Sequence, residues 1–370
     1  VFAVLLAVTL TLLGCGGGGG GGSTSSSGGS SSGGGSSTPA PSAPSGGQQQ
    51  EQKKEVVTLK VADNFPVGHV AYDATLEVFI PALEESGRIK VEYYPSGQLG
   101  DIKDMITLAK SGAVDIGYTS LGLVTGEIPL ASVLAIPGVF NSAVEAHLAF
   151  EKLLFEGPLK AEFEKIGLQS IAIGATDPYE IFTKSKSVRV PEDVKGLKIR
   201  GVGGDADKIL GEYGVTVLTT SSSEIYEAIS KGVTDGTFYS FATAPSLKLQ
   251  EVVKYATKGV SLGTPSLYYF MNLDRFNSFD PELQQIILDA GKKLGLAIAE
   301  SYDGRAANNL QQFASQGVTI NELTPDEQQK WKDILKDAPQ IWIDSVKARG
   351  AQNPEAVYDA MIKFRDEIRK

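Results

Sequence analysis

The sequence predicts a two-lobed α/β protein with one long helix spanning both lobes, and three observations predict it. Branched, alternating segments trade with segments of helical spacing through residues 57–119, and the same alternation returns through residues 168–240. Beyond Pro281, a run dense in Ala, Leu, Ile and Gln continues to Gln316 without another proline. In order, Val57–Ala62 (VTLKVA) reads as a strand and His69–Ser86 as a helix. Arg88–Tyr94 (RIKVEYY) reads as a second strand closed by Pro95-Ser96-Gly97, residues 101–111 as a helix, and Val114–Thr119 as a third short strand, which together imply a largely parallel sheet. The second series is Leu168–Ala175, 196–200, the helix 205–213, Val215–Leu218, the helix 223–231, and 236–240. A helix over 281–316 runs roughly 50 Å, longer than one lobe, so its expected place is along both, with Gly291, Gly295 and Gly304 as bends. Helical segments over 324–349 and 354–368 close the chain. The expected division is lobe I over 55–176 and 262–300, and lobe II over 177–261 and 301–370.

The first fourteen residues (VFAVLLAVTLTLLG) are uncharged and match a signal-peptide hydrophobic region, short of the roughly 20 apolar residues a bilayer span needs. The chain begins at Val without a basic flank, from which an omitted true N-terminus is expected. Leu12-Leu13-Gly14-Cys15 resembles the bacterial lipobox, with Cys15, the only cysteine, as the lipidated residue. A buried core cysteine is the alternative, but the polyglycine after it cannot build a core. Residues 15–54 read as a Gly/Ser/Pro linker with a reach of roughly 35 Å. All 34 basic and 44 acidic residues lie in residues 51–370, and the net charge of -10 disfavours a nucleic-acid partner. These features predict an extracytoplasmic protein held to the cell membrane by a lipid anchor.

Catalysis has little to draw on. There are two histidines, His69 and His147, and no His-Glu-x-x-His, paired Cys-x-x-Cys, G-x-S-x-G or Walker pattern. Residues 197–205 (LKIRGVGGD) offer strand, glycines and helix in the order of a phosphate loop. The third glycine of that fingerprint is Ala206, however, and Asp205 would repel a pyrophosphate. No enzyme activity, cofactor or metal is expected.

Three stretches together carry a resemblance. They are Tyr94-Pro95-Ser96-Gly97-Gln98-Leu99-Gly100 with residues 110–116 (KSGAVDI), residues 190–200 (VPEDVKGLKIR), and residues 223–229 (SEIYEAI) with 232–236 (GVTDG). In this order and followed by a long helix, the chain resembles, across about residues 56–345, the DctP-like solute-binding subunits of tripartite ATP-independent periplasmic (TRAP) transporters. The resemblance implies a periplasmic-binding-protein-like fold of type II style, whose cleft closes on a small organic acid and which docks on ion-gradient-driven TRAP membrane subunits. It places Arg200 on the ligand carboxylate, a task that suits the planar, permanently charged guanidinium. A surface salt bridge at a strand end is the alternative for Arg200.

Other ligand positions follow the same resemblance. Tyr179 and Glu180 lie where relatives carry a second arginine or a glutamine, and Glu180 would favour a ligand hydroxyl, an amino group or a cation; a solvated strand glutamate is the alternative. Where some relatives place metal-assisting residues, this chain has Thr237-Phe238-Tyr239-Ser240-Phe241. That removes a metal ligand and supplies an aromatic wall in which Tyr239 could donate a hydrogen bond, while Phe238 and Phe241 could equally be core. His69, Thr119-Ser120, Ser222 and Asn272 complete the set, their alternatives being a helix start for His69, a turn for Thr119-Ser120 and a strand end for Asn272. A binding protein for an ATP-driven importer, a ligand-presenting sensor subunit and an extracellular enzyme are the competing readings; the motifs and the missing catalytic groups count against them.

Overall fold

The computed structural model describes residues 55–123, 126–201, 205–218 and 224–370. Cys15 and Ser222 lie outside the described residues. Eleven strands are described: β1 (Val57–Ala62), β2 (Ile89–Tyr94), β3 (Ile116–Ser120), β4 (Leu168–Ala175), β5 (Glu180–Thr183), β6 (Lys198–Arg200), β7 (Thr216–Leu218), β8 (Gly236–Tyr239), β9 (Tyr255–Lys258), β10 (Ser266–Asn272) and β11 (Thr319–Glu322). They form two sheets, ordered β2-β1-β3-β10-β4 and β11-β9-β5-β8-β6-β7. Both are largely parallel as expected, each with one reversed strand. In the first, β10 runs antiparallel to both β3 and β4; in the second, β5 runs antiparallel to β8 and β9. The reason is topological: β5 and β10 each follow a crossing between the lobes and enter their sheet from the opposite side.

Both sheets are covered on two faces, which their burial alternation records. Along β10, Tyr268 and Phe270 enter one apolar cluster while Leu267, Tyr269 and Met271 enter the other. Along β8, Phe238 faces one second-lobe cluster and Tyr239 the opposite one. Each fully buried large side chain contributes about 1.5–3 kcal/mol, so these paired faces hold each lobe independently.

The predicted long helix is present over Pro281–Ser315. Asp280 caps its start, accepting from the backbone N–H groups of Glu282 and Leu283 at 3.1 and 3.0 Å. Its first half packs on the first sheet through Leu283, Ile287, Leu294 and Ile298, and Phe313 near its end packs in the second lobe. Gly291 and Gly295 are contact points rather than bends: a Cβ at either would strike the carbonyl of Ile171 or of Ile173 in β4. Gly304 alone of the three has open space around it.

Two other expectations change. The segment 324–349 is two helices, Pro325–Leu335 and Ala338–Ala348, with a new start at Asp337 ahead of Pro339, where the pyrrolidine ring fits a first turn but not a helix interior. The last two helices also do not belong with the second sheet, where the expected division put them. Trp342, Val346, Val357 and Met361 join the core of the first sheet, and Trp342 Nε1 donates to Ser132 Oγ at 2.8 Å.

The lobes are joined by a short ribbon. Thr176 N donates to Pro265 O, Tyr179 N to Gly263 O, and Leu262 N to Tyr179 O, at 2.8–2.9 Å. The long helix is the third crossing; Asn309 Nδ2 on it donates to the carbonyls of Phe241 and Ala242 in the loop after β8.

Candidate functional site

Arg200 is the last residue of β6, which lies between β7 and β8 and aligns Arg200 with Thr237 and Leu218. It is half-buried, and its Cζ lies over the Tyr239 ring, 5.9 Å from the centroid. Tyr179, on the crossing ribbon, packs against Tyr239 with ring centroids 5.4 Å apart. Burial, the neighbouring Tyr239 and the carboxyl of Asp177 raise the Tyr179 phenol above its ordinary range, against a lowering pull from Arg200. The Tyr179 phenol therefore stays protonated as a donor beside the guanidinium. A cation over an aromatic face contributes about 0.5–2 kcal/mol and fixes the cation's direction.

The first lobe answers with its own rings. Phe65 stacks on His69 at 4.4 Å and 14°, and leans on Tyr118 at 4.3 Å. Tyr302 of the long helix meets His69 edge-on at 6.4 Å. Tyr302 is itself buried, and Tyr179, Tyr118, Asp177 and Tyr239 all add to the rise of its phenol, which brings the two groups of rings into one electrostatic neighbourhood. His69 begins the helix: its Nδ1 accepts from Ala71 N at 3.1 Å. Burial, with Arg305 adding, pushes its imidazole down to about 4, so it is neutral at physiological pH. Ser120 is half-buried at the end of β3, and the hydroxyl of its buried neighbour Thr119 has no hydrogen-bond partner among the described residues.

Several predicted positions do other work. Glu180 is buried, and its two oxygens accept from Gly259 N and Val260 N at 2.9 and 3.0 Å, holding the turn after β9. Burial raises its carboxyl to about 7 in spite of these bonds. Phe238 is core, packed with Ile181, Ile199, Leu262 and Trp331. Phe241 packs against Phe182 and Phe313. Asn272 lies at the far end of β10 from Ser120; its Oδ1 caps the next helix, accepting from Arg275 N at 3.0 Å, and its Nδ2 donates to Lys110 O. His147 also has partners the sequence did not reveal, donating from Nδ1 to Ile173 O at 2.8 Å while Nε2 lies 3.1 Å from Glu151.

Sequence reasoning missed Phe65, Tyr118 and Tyr302, and two carboxyls. Asp63 ends β1 and accepts from Phe65 N at 3.0 Å and from the Tyr93 hydroxyl at 2.8 Å. Asp177 accepts from the Ser240 hydroxyl and, at 2.9 Å, from Phe241 N, tying the crossing ribbon to the loop after β8. Burial raises Asp63 to about 6 and Asp177 to about 7. A strand-end Asp followed by Phe, as in Asp63-Asn64-Phe65, was the one available signal. An open recess of about 420 Å³ lies elsewhere, at the opposite end of β1, lined by Arg88, Arg275 and Asp280. Arg88 is bound there by Asp280 and Glu282, so its charge is taken. Among the described residues no group of three or more His, Cys, Asp or Glu is placed to hold a metal, and no helix is long and apolar enough to cross a membrane.

Comparison with known proteins places this geometry. Residues 61–343 match the DctP family, described as bacterial extracellular solute-binding protein, family 7. The 2,3-diketo-L-gulonate-binding periplasmic protein YiaO of Escherichia coli is 24% identical over 267 residues, covering 69% of this chain and 79% of its own. A TRAP solute-binding protein from Rhodoferax ferrireducens, solved with copurified benzoate, is 25% identical with a TM-score of 0.74, covering 85% of this chain and 100% of its own. A marine metagenome TRAP solute-binding protein specific for aromatic acid ligands, solved with 3-hydroxybenzoate, gives the same identity, score and coverages.

Proposed function

Because the chain belongs to bacterial extracellular solute-binding protein family 7, the DctP family of TRAP solute-binding proteins, we propose that it captures a small organic acid between its lobes, pairs the carboxylate with Arg200, and delivers it to an ion-gradient-driven TRAP membrane transporter. The observation that carries this reading is the placement of Arg200: a half-buried guanidinium at a strand end, aligned by the Tyr239 ring beside the crossing ribbon. A carboxylate there accepts two parallel charge-assisted hydrogen bonds in a partly dry setting. Phenols of Tyr179 and Tyr239 stand beside it as further donors. The relatives solved with benzoate and 3-hydroxybenzoate support a carboxylate solute. Lipid on Cys15, with the linker to residue 54, would keep the loaded domain near its membrane partner and raise its local concentration.

The test is a thermal-shift screen over mono- and dicarboxylates, amino acids, sugar acids and aromatic acids, repeated on Arg200→Ala. A solute at a hundred times its Kd stabilises the folded state by about 2.7 kcal/mol. Truncating a desolvated, paired charge costs about 2–5 kcal/mol, thirty-fold or more in affinity, so the shift should vanish in the variant. An unchanged shift sinks the role of Arg200. Genes for two membrane subunits beside this one fit the transporter reading; an ATPase gene in their place opposes it.

A further inference from the structure

Resting on the Arg200 reading, we propose that the cleft selects ring-bearing monocarboxylates over sugar acids and dicarboxylates, and that His69 Nε2 donates a hydrogen bond to a second polar group on that ring. The Arg200 guanidinium lies over Tyr239, and a second bank of rings belongs to the first lobe and the long helix. Phe65, His69, Tyr118 and Tyr302 form one bank of rings and Tyr179 with Tyr239 the other. Rings accept a flat apolar body with offset or edge-on contacts.

Among the described residues, the carboxyl acceptors nearby are already committed. A sugar acid brings several hydroxyls, each costing about 1–3 kcal/mol if buried without a partner. The carboxyls that could receive them are Asp63, Asp177 and Glu180, and each spends its oxygens on protein N–H or O–H groups. A dicarboxylate needs a second cation. The guanidinium closest to His69 in charge terms is Arg305, which donates to Asp73 Oδ2 at 2.6 Å and to Gly68 O at 3.0 Å.

Because His69 Nδ1 accepts from Ala71 N, the neutral imidazole must carry its proton on Nε2. The plane is held by the Phe65 face and the Tyr302 edge. Nε2 makes no hydrogen bond to any described residue and is not among the buried atoms left without a partner, so it is accessible. His69 therefore offers a donor of fixed direction on the lobe opposite Arg200, suited to a hydroxyl or carbonyl oxygen and not to an ammonium.

Titration calorimetry on the full chain tests this with benzoate, the three monohydroxybenzoates, D-glucuronate and succinate. Benzoate should bind at least tenfold tighter than glucuronate or succinate, and one hydroxybenzoate isomer should exceed benzoate by about five- to tenfold. In His69→Asn the side-chain oxygen can still accept from Ala71 N, while the Nε2 donor is gone. That variant should bind the favoured hydroxybenzoate no tighter than benzoate, whatever the lost ring costs both ligands. Glucuronate or succinate binding as tightly as benzoate overturns the ring selection, and if Arg200→Ala abolishes that binding the carboxylate reading survives alone. No wild-type preference for any hydroxybenzoate overturns the role of His69 without need of a variant. So does a preference that persists in His69→Asn.

Discussion

Replacing Gly295 by Ala should destabilise the protein, although alanine is the better helix former. A Cβ at this position lies 2.5 Å from the backbone oxygen of Ile173 in β4 and 2.7 Å from His147 Cε1. Carbon contacts relax near 3.5–4.0 Å, so the helix must retreat from the sheet by about 1 Å. The carbonyl it strikes also receives the His147 Nδ1–H at 2.8 Å, and the retreat strains that bond too. Overpacking costs about 1–3 kcal/mol and a compromised buried hydrogen bond about 1, against a propensity gain of about 1. The net is about 2 kcal/mol, or roughly 3 °C in Tm for a folded body of this size. Gly304→Ala is the control on the same helix. With nothing within 4 Å of its Cβ, it should gain about 0.5–1 kcal/mol. Urea and thermal melts of both variants read the difference. A Gly295 variant that melts at or above the wild type refutes the close-approach argument, as does a Gly304 variant that loses as much.

Burial raises the carboxyls of Asp177 and Glu180 to about 7 in the folded state, so the folded protein holds protons that the unfolded chain has released. Their stabilisation is full below about pH 4 and is lost as pH rises through 7; Asp177→Asn should flatten the slope of stability against pH in that window by up to about 1.4 kcal/mol per unit, and an unchanged slope in urea melts contradicts it. Phe238→Ala should cost about 3–5 kcal/mol of stability, with the affinity of the surviving folded protein within a few-fold of wild type. Tyr239→Leu should do the reverse, weakening solute binding by about 0.5–2 kcal/mol as Arg200 loses its ring; calorimetry on both variants separates core from site. Cys15→Ala should move the protein from the membrane to the soluble fraction with solute affinity unchanged; a variant that stays with the membrane excludes the anchor.

Much of the fold was written locally. The long helix carries its own start signal in Asp280-Pro281, and β1, β2 and β3 are short runs whose alternation needs no partner to be read. What could not be read is which surface an apolar stripe meets. The helices over 338–368 show a buried face in sequence, but only the contact of Trp342 with Ser132, 210 residues earlier, assigns them to the first sheet. Strand direction was hidden for the same reason, since β10 enters between β3 and β4 after the chain has crossed the lobes twice.

The site divides along the same line. The resemblance pointed to Arg200 and to Tyr239, and the structure sets the two side by side at the ends of neighbouring strands. Glu180 was misjudged because its fate is set by the N–H groups of Gly259 and Val260, which fold back onto it from 79 and 80 residues away. Strand parity held a partial warning, since Phe238 and Tyr239 must face opposite ways and cannot both line one wall. The misreading has a chemical consequence. With Asp63, Asp177 and Glu180 all buried, all bonded to protein donors and all raised toward neutrality, the lobe crossing carries less negative charge near pH 7 than its sequence suggests. These carboxyls tie down their loops while repelling an arriving carboxylate less than free acids would, which the proposed capture of an anion by a chain of net charge -10 requires.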